Sequence, residues 1–485
     1  MPSRLAAPLA GPSGTRRRSL RPRADPALAA RLARSAATRA GAHLDTREVH
    51  AWLAHRRAAH AFRVDRVPLA DLRQWHTDPA TGNLLHHSGR FFTVEGLHVV
   101  EHDGPLGDGP RRDWQQPVIR QPEVGILGIL AREIDGVLHF LMQAKMEPGN
   151  PGLLQLSPTV QATRSNWTRA HRGSRVQLVD QFVDPHPDRV LVDVLQSEQG
   201  SWFHHKSNRN MIVETDTAPP FDEDFRWLTL GQLADLLHED ETVNMNARTV
   251  LSCVPYADTT PLALHSDTAL RSWFTGLRAH RDVRAERVPL ASVRGWRRGP
   301  DAIEHEDHRY FRVIAVSVRA GSREVRTWDQ PLVEPVGLGV TAFLTRRIDG
   351  VEHVLVQARA EGGFLDTVEL APTVQCDPVN HAHLPAADRP PFLDTVLDAP
   401  PARIRYQAVH SEEGGRFHHA RSRYLVVDAA GTPAAALDPP PGYAWATPAQ
   451  LRALTRHGHY LNVEARTLLA CLNAMAARTL PGEPT

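Results

Sequence analysis

One pattern occurs twice in this chain, and the internal repeat constrains the fold more than any other feature. Residues 143–145 (QAK) return as residues 357–359 (QAR), and residues 158–161 (PTVQ) return as residues 372–375, each 214 positions later. A unit of this length is far longer than the repeat of a solenoid protein. The chain is therefore predicted to be a tandem duplication of one α+β domain, mostly β with helices at its ends.

Both halves show the same order of predicted elements. Strands are expected on either side of Asp135-Gly136 and, in the second copy, over residues 336–345 and 351–358 around Asp349-Gly350. An Asp-Gly pair between two apolar runs is a strong signal for a β-hairpin. Each half is therefore expected to be built around a hairpin of the same type.

Helices and domain limits follow from apolar spacing and composition. Helices are predicted over residues 26–40 and 45–60, the second beginning at the N-cap Asp45. The first domain is assigned to residues 25–260 and the second to residues 265–480. Residues 1–24 are rich in Pro, Arg, Ser and Gly and are predicted to form a disordered basic tail.

Charge and composition argue against several classes of protein. The net charge of +1 over 485 residues gives no reason to expect nucleic acid or an anionic membrane as a partner. No apolar run is long enough to predict a membrane span, no signal-peptide pattern follows the N-terminal arginines, and a cytoplasmic location is expected. Three cysteines make no disulfide framework; Cys253 and Cys471, at equivalent places in apolar helical patterns, are predicted to be core residues.

Comparing the two copies separates shared positions from positions that are polar only in the first copy. The shared pairs serve either the fold or a ligand feature common to both halves: Trp75/Trp296, Trp114/Trp328, Ser197/Ser411, Glu198/Glu412, His204/His418, Arg209/Arg423, Asn244/Asn462 and Arg248/Arg466. The first copy alone carries a second set, given with its replacement: Lys145 (Arg359), Arg164 (Pro378), Ser165 (Val379), Trp167 (His381), Thr168 (Ala382), Lys206 (Ala420), Asn208 (Ser422), Asn210 (Tyr424) and Asn246 (Glu464). A degenerated active site would leave this asymmetry, and so would a specialised loop that contacts the other repeat.

Familiar phosphate-binding and metal-binding motifs are missing from the sequence. No G-x-x-x-x-G-K-[ST] loop, H-E-x-x-H, C-x-x-C or EF-hand pattern occurs. The pairs His204-His205 and His418-His419 could bind a metal ion. Neighbouring strand residues point to opposite faces, however, so a structural or hydrogen-bonding role is favoured for these histidines.

The polar residues of both sets suit a nucleotide-sugar. Arginine forks match diphosphate oxygens, and lysine supplies a compact charge. Tryptophan faces can stack on a base, and Ser, Thr and Asn side chains can bond to sugar hydroxyls. Lys145 and Lys206 are the only lysines among 56 basic residues, which indicates retained chemistry at these two positions.

Three long runs carry a resemblance to a known family: residues 140–166 (FLMQAKMEPGNPGLLQLSPTVQATRSN), 197–210 (SEQGSWFHHKSNRN) and 244–253 (NMNARTVLSC). They resemble the NDP-hexose 2,3-dehydratases of deoxysugar biosynthesis, and the resemblance extends over residues 45–480. It implies two Nudix-like modules in each subunit, a homodimer, and functional coupling to a 3-ketoreductase. The chain departs from the family at Trp167, where a tyrosine is usual. The Nudix metal box is absent, which disfavours metal-dependent diphosphate hydrolysis.

The resemblance also implies a reaction: loss of water across C2 and C3 of dTDP-4-keto-6-deoxyglucose. The C3 hydrogen lies α to the C4 ketone, so the chemistry asks for a base, a donor to the enolate oxygen and an acid for the leaving hydroxyl. It requires no nicotinamide, flavin or metal, and no cofactor is expected. The alternatives are a Nudix-type nucleotide-sugar hydrolase and a non-catalytic nucleotide-sugar-binding protein.

Candidate site residues follow from the copy comparison together with the resemblance, which leave the identity of the base open. The catalytic candidates are Lys206, His204, His205 and Thr168; lysine and histidine can titrate usefully when buried. The predicted substrate-binding residues are Trp75, Lys145, Arg164, Ser165, Asn166, Trp167, Thr168, Ser197, Arg209, Asn210, Asn244, Asn246 and Arg248. A second, non-catalytic nucleotide-sugar site is predicted at Trp296, Trp328, Arg359, Ser411, His418, His419, Arg421, Arg423, Tyr424, Asn462 and Arg466. No metal ligand is predicted.

Overall fold

The computed structural model describes residues 25–102, 111–164, 176–220, 222–257, 260–321 and 325–479. The predicted tail, residues 1–24, lies outside this range. The helices of the first half are α1 (Pro26–Ala37), α2 (Thr46–Ala59), α3 (Asp180–Val183), α4 (Leu230–Leu236) and α5 (Met245–Ser252). Its strands are β1 (Phe62–Val67), β2 (Trp75–Thr77), β3 (Leu84–His86), β4 (Thr93–His102), β5 (Arg111–Arg120), β6 (Gly125–Ile134), β7 (Val137–Met146), β8 (Leu154–Pro158), β9 (Val160–Ala162), β10 (Val190–Ser197), β11 (Ser207–Glu214) and β12 (Phe225–Thr229).

The second half repeats the strands of the first in the same order. Its helices are α6 (Asp267–His280), α7 (Leu393–Leu397), α8 (Pro448–Leu454) and α9 (Val463–Arg478). Its strands are β13 (Asp282–Val288), β14 (Trp296–Arg298), β15 (Ala302–His305), β16 (Phe311–Ala320), β17 (Thr327–Pro335), β18 (Gly339–Ile348), β19 (Val351–Ala360), β20 (Val368–Ala371), β21 (Val374–Cys376), β22 (Ile404–Ser411), β23 (Arg421–Asp428) and β24 (Tyr443–Ala446). The predicted mixed, β-rich duplication is therefore confirmed.

Local signals in the sequence predicted several elements correctly. The helix α2 begins with a capping box in which Asp45 and Glu48 satisfy each other's backbone amides. The two Asp-Gly turns join β6 to β7 and β18 to β19 in antiparallel hairpins. The strand predicted from residue 336 begins later, at Gly339, because Gly337 has a φ of 94° and turns the chain out of the extended conformation.

Each repeat forms a seven-stranded mixed sheet with a core on both faces. The first sheet has the strand order β10-β11-β6-β7-β12, with β8 on β7 and β9 on β6, and the second sheet repeats this arrangement. The strands β6 and β11 run parallel, as do β18 and β23. Cys253 and Cys471 are buried in these cores, as predicted. No helix among the described residues is long and apolar enough to cross a membrane.

Two smaller sheets exchange strands between the repeats. The strand β1 pairs antiparallel with β16 of the second repeat, and β13 pairs antiparallel with β4 of the first. Each small sheet therefore contains one strand from the other half of the chain. The two repeats are joined by backbone hydrogen bonds, so a residue of one repeat can contribute to a site of the other.

Two buried arginines also connect the repeats. Arg248 donates to the carbonyl of Ser411 at 2.6 Å, and Arg466 donates to the carbonyl of Ser197. Both guanidinium groups are fully buried. The helices α5 and α9, which carry them, pack against each other, so each arginine binds the end of a strand in the opposite repeat.

Candidate active site

A cavity of about 420 Å³ is lined by residues of both repeats. We call it the first cavity. The first repeat contributes the ends of β7 and β9, the β10–β11 loop and the start of α5, and the second repeat contributes β17 and the β22–β23 loop. The charged and amide side chains that line it include Lys145, Glu147, Gln161, Glu198, Lys206, Asn208, Asn246, Glu413 and Arg416.

Lys206 is a buried cation of the first cavity. Lys206 is only 6 % exposed to solvent, and its Nζ donates to the carbonyl of Glu123. Burial lowers the pKa of Lys206 to about 8, while the carboxyl groups of Glu198 and Glu413 act in the opposite direction. Below this pH the ammonium group can stabilise negative charge that develops on a bound ligand.

Lys145 places a second cation in the same cavity. Its Nζ lies 3.9 Å from Glu147 Oε1 and 3.4 Å from the carbonyl oxygen of Gln161. The side chain of Gln161 donates to the same oxygen of Glu147 at 2.8 Å. The three side chains form a network that holds a cation and a carboxyl group next to each other.

Glu198 and Asn246 bring buried acceptor atoms to the cavity. Asn208 donates to Glu198 Oε1 and accepts a hydrogen bond from the amide of Gly125 at 3.0 Å. Burial raises the pKa of Glu198. Glu198 Oε2 and Asn246 Oδ1 have no hydrogen-bond partner among the described residues. Buried polar atoms are normally paired, so these two atoms suit the hydroxyl groups of a ligand.

Aromatic side chains from both repeats line the rest of the first cavity. Trp75 packs against Phe92 with ring centroids 4.9 Å apart, and its Nε1 donates to the carbonyl of Asp329 at 2.7 Å. Phe91 and Trp328 also line the cavity. Such aromatic faces are able to stack on a nucleoside base.

A second cavity, of about 990 Å³, occupies the equivalent place in the other half. Trp296 lines it, and its Nε1 donates to the carbonyl of Gln115 in the first repeat at 2.9 Å. Trp114 and Trp202, also of the first repeat, are part of its lining. The exchange between the halves is thus reciprocal.

The second cavity has acidic side chains at two positions where the first has neutral ones, since Glu464 replaces Asn246 and Asp377 replaces Thr163. Arg359 donates to Glu361 at 2.8 Å, and Asp377 and Glu464 also line this cavity. Burial raises the pKa of Asp377 to about 7, and burial together with neighbouring carboxyl groups raises the pKa of Glu464. Ala420 stands where the first repeat has its buried lysine in the β10–β11 loop.

Comparison with known proteins identifies the family. The family model described as NDP-hexose 2,3-dehydratase matches residues 46–254 and 267–472. The chain belongs to this family. A dTDP-4-dehydro-6-deoxy-alpha-D-glucopyranose 2,3-dehydratase of Amycolatopsis orientalis is 67 % identical over 464 residues, which cover 96 % of this chain and 98 % of that protein. Enzymes of the same name from Streptomyces violaceoruber and Saccharopolyspora spinosa are 52 % and 49 % identical, over 90 % and 92 % of this chain and 98 % and 95 % of their own lengths. The resemblance read from the sequence is confirmed.

The structure brings some predicted site residues together and places others elsewhere. Trp75, Lys145, Lys206 and Asn246 line the first cavity. Ser165, Asn166, Trp167 and Thr168 lie outside the described residues, and Arg164, just before them, is exposed. Asn210 is buried in β11, where its side chain donates to the carbonyl of Asn208.

His204 and His205 line neither cavity. Their rings stack with centroids 3.9 Å apart, and their amides donate to the carbonyls of Ile119 and Gly363, so the pair ties the loop to both repeats. Burial and the neighbouring His205 lower the pKa of His204 to about 4. The structural role that the sequence favoured for these histidines fits this geometry better than a catalytic one.

Four other predicted substrate-binding residues hold the fold together. Arg209 forms an ion pair with Asp193 on the neighbouring strand, on the opposite side of β11 from the cavity. Asn244 caps α5 by accepting from the amide of Ala247 at 2.8 Å. Ser197 donates to Glu369, and Arg248 is buried between the repeats. These side chains line neither cavity, because their polar atoms are engaged by the protein itself.

Of the residues predicted for the second site, Trp296 and Arg359 line the second cavity. Trp328 lines the first cavity instead, because β17 of the second repeat faces it. The others belong to structural contacts outside either cavity lining: Ser411 with Gln155, His418 with Glu334, His419 stacked on His418, Arg421 with Glu241, Arg423 within β23, Tyr424 with Glu412, Asn462 at the N-cap of α9, and Arg466 with Ser197.

Sequence reasoning missed several residues of the first cavity. Gln161 lies inside one of the motifs that revealed the repeat and Glu147 lies two positions after the other, yet both recur in the second copy and so gave no asymmetry. Glu413 and Arg416 were missed because they belong to the second repeat and reach the first cavity through the β22–β23 loop. The signal for these two was a charged residue that occurs only in the second copy, where the first copy has Gln199 and Trp202.

No group of three or more His, Cys, Asp or Glu side chains suited to a metal ion occurs among the residues that the structure describes. Neither of the stacked pairs, His204–His205 or His418–His419, belongs to such a group among the described residues. The described part of the cavity offers ammonium, amide and carboxyl groups for direct contact with a ligand.

Proposed function

We propose that this protein acts on dTDP-4-dehydro-6-deoxyglucose in the first cavity and eliminates water across C2 and C3. The observation that carries the proposal is the position of Lys206, a buried cation that shares the cavity with carboxyl groups and aromatic faces. The substrate is inferred from the three relatives, whose names state it. The Nudix-type hydrolase is the weaker alternative.

The reaction is an elimination that begins at C3. The C3 proton lies α to the C4 ketone, so a base can remove it when the enolate oxygen is stabilised by a positive donor, the role we assign to Lys206. The C2 hydroxyl then takes a proton and leaves as water, which leaves a double bond between C2 and C3. Protonation of C2 and loss of the proton from the C3 hydroxyl then give the 3,4-diketo-2,6-dideoxy sugar. C3 is oxidised and C2 reduced within the same molecule, so no external oxidant is consumed.

The two cavities are proposed to have unequal roles, with turnover in the first and binding alone in the second. Lys206 supplies a buried ammonium to the first cavity, and Ala420 supplies none to the second. Asn246 is likewise replaced by Glu464, which adds a carboxyl group where a neutral acceptor stood. Both cavities keep tryptophan side chains able to hold a nucleoside base.

The remaining predictions belong to the same proposal. Residues 165–168 begin two positions after Thr163, which lines the first cavity, and they remain candidates to contact the hexose. A Nudix-like origin of each repeat and assembly as a homodimer in the cytoplasm are inferred from the family. Functional coupling to a 3-ketoreductase is expected because such an enzyme would consume the reactive diketone.

Incubation with dTDP-4-dehydro-6-deoxyglucose tests the proposed function. The protein is first treated with EDTA and gel-filtered, and a 3-ketoreductase with its nicotinamide cofactor is added as a trap. We expect oxidation of the nicotinamide that depends on both proteins. Release of dTMP would instead support the hydrolase, and binding without turnover would support a non-catalytic binding protein.

The exchange of tryptophans between the repeats predicts which variants affect turnover. Trp328→Ala should raise KM by about tenfold, because loss of base stacking costs about 1–3 kcal/mol. Trp114→Ala is the matched variant in the second cavity and should leave KM for turnover within about twofold. Steady-state kinetics with the ketoreductase trap measures both. The opposite pattern would contradict the assignment of the two cavities.

A further inference from the structure

The β22–β23 loop, residues 412–420, crosses from the second repeat into the first cavity. Glu412 lines the second cavity, whereas Glu413, Gly415 and Arg416 line the first. The equivalent loop of the first repeat behaves in the same way, since Glu198 faces its own cavity and Trp202 faces the other. Each cavity is therefore closed by a loop from the opposite repeat.

Close backbone packing fixes the crossing loop. The amide of Gly149 donates to the carbonyl of Gly414 at 2.7 Å, and the amide of His419 donates to the carbonyl of Gly149 at 2.8 Å. A Cβ atom on Gly149 would lie 1.6 Å from the carbonyl oxygen of Phe417, so only glycine fits there. The residue that this contact directs into the first cavity is Glu413.

The β10–β11 loop of the first repeat makes the equivalent backbone contact with the second repeat. It carries a different side chain at the position of Glu413. The amide of Gly363 donates to the carbonyl of Gly200 at 2.8 Å, and a Cβ on Gly363 would meet Phe203. Gln199 occupies the position equivalent to Glu413 there, and its amide donates to Glu412 at 2.9 Å. The backbone is alike in the two loops, but only the loop that enters the first cavity carries a carboxyl group at this position.

The side chain of Glu413 is surrounded by polar residues that line the first cavity. Gln161 Nε2 lies 3.5 Å from Glu413 Oε1. The charged groups that act on it are Glu147 at the end of β7, Lys145 of β7, Glu198 in the β10–β11 loop and Arg416 of its own loop. The negative charge of Glu413 in turn acts to raise the pKa of Lys206. The carboxyl group thus lies beside the cation that we assign to the enolate oxygen.

We propose that Glu413, a residue of the second repeat, is the catalytic base of the first cavity and removes the C3 proton of the substrate. The inference rests on the proposed function of that cavity. The electron pair of the C3–H bond moves towards the C4 ketone, and the proton moves to the carboxylate. The protonated Glu413 can then return this proton to the departing C2 hydroxyl, which leaves as water.

Two comparisons distinguish Glu413 from the other carboxyl groups. Glu147 and Glu198 have carboxyl counterparts in the second cavity, Glu361 and Glu412, so they do not account for a difference between the cavities. Burial and the nearby Glu147 raise the pKa of Glu413 to about 7. A base with a pKa near the working pH is most effective in proton transfer.

The test is Glu413→Gln in the full-length protein, assayed with dTDP-4-dehydro-6-deoxyglucose and, in D2O, for exchange of the C3 hydrogen. Glutamine already occupies the equivalent position in the first repeat, so the loop should accept it. We expect both turnover and C3 exchange to fall by at least about a hundredfold, with dTDP binding by calorimetry within about twofold of the unchanged protein. Glu239→Gln, a surface carboxyl-to-amide change, is the control and should retain both activities.

The outcomes separate this inference from the proposed function. If the unchanged protein does not convert the substrate, the proposed function fails. If it does, and Glu413→Gln keeps turnover and exchange within about threefold, only the assignment of Glu413 is overturned. If the Glu413→Gln protein does not fold, the pH profile of C3 exchange is measured in the unchanged enzyme instead. C3 exchange should then fall by about tenfold per unit as the pH drops below about 7; an exchange rate that stays level from pH 7 to pH 5 would overturn the assignment.

Discussion

Replacing Lys206 by alanine should lower kcat by at least about a hundredfold, because removal of a single donor to an oxyanion typically costs about 3–4 kcal/mol of transition-state stabilisation. The ammonium group is buried in the first cavity and lies near Glu198 and Glu413. Nucleotide affinity should change little, because the group acts on charge that develops only at the hexose. Steady-state kinetics with the ketoreductase trap, together with calorimetric titration of dTDP, measures the two effects separately.

The pH dependence gives this prediction a second readout. The pKa of Lys206 is lowered to about 8, and the group acts as an ammonium, so kcat of the unchanged enzyme should fall as the pH rises above about 8. Arg209→Ala is the control, because Arg209 pairs with Asp193 outside the cavity and its loss should leave kcat within about twofold. Full turnover by Lys206→Ala would contradict the role assigned to this lysine.

The largest expected effect on stability belongs to Arg466→Ala. The guanidinium group is fully buried, donates to the carbonyls of Ser197 and Leu461 and to the hydroxyl of Thr249, and faces Glu369. Its removal leaves these acceptors without a donor. Breaking a buried charged network of this kind should lower the free energy of unfolding by about 3–5 kcal/mol.

Guanidinium denaturation followed by far-UV circular dichroism measures this loss. The matched variant is Arg421→Ala, which breaks an exposed pair with Glu241 and should cost less than about 1 kcal/mol. Equal midpoints for Arg466→Ala and Arg421→Ala would show that the buried arginine does not stabilise the contact between the repeats. A reduced midpoint for Arg466→Ala alone supports the structural role over the ligand-binding role first predicted for Arg466.

The sequence was sufficient to predict the duplication and much of its local structure. The offset between the copies, the Asp-Gly hairpins and the capping residue Asp45 all depend on neighbours in the chain, and the structure confirms them. The pairing of β1 with β16 was not predictable in this way. It joins Phe62 to Ala320, residues far apart in sequence, and the local pattern of neither strand indicates its partner.

The same limit explains why the predicted site and the cavity linings differ. A residue shared by both copies serves the fold or a ligand, and the sequence did not separate these two cases for Arg248 or Ser197. Trp328 was assigned to the cavity of its own repeat, because the sequence does not show that each repeat contributes residues to the lining of the other cavity. Strand periodicity does distinguish Asn208, which lines the cavity, from Arg209, whose side chain points to the other face of β11. That signal was present in the sequence and was not used.

The two cavities are equivalent in position, and we propose that only the first converts substrate. The most direct measurement compares Lys145→Gln with Arg359→Gln, the equivalent cations of the two cavities, in the trapped assay with dTDP-4-dehydro-6-deoxyglucose. We expect Lys145→Gln to lose at least about tenfold in kcat/KM, since a buried charged contact is worth about 1.5–3 kcal/mol, and Arg359→Gln to stay within about twofold of the unchanged enzyme. Loss of turnover in a folded Arg359→Gln protein, with turnover retained in Lys145→Gln, would show that the second cavity and not the first converts substrate.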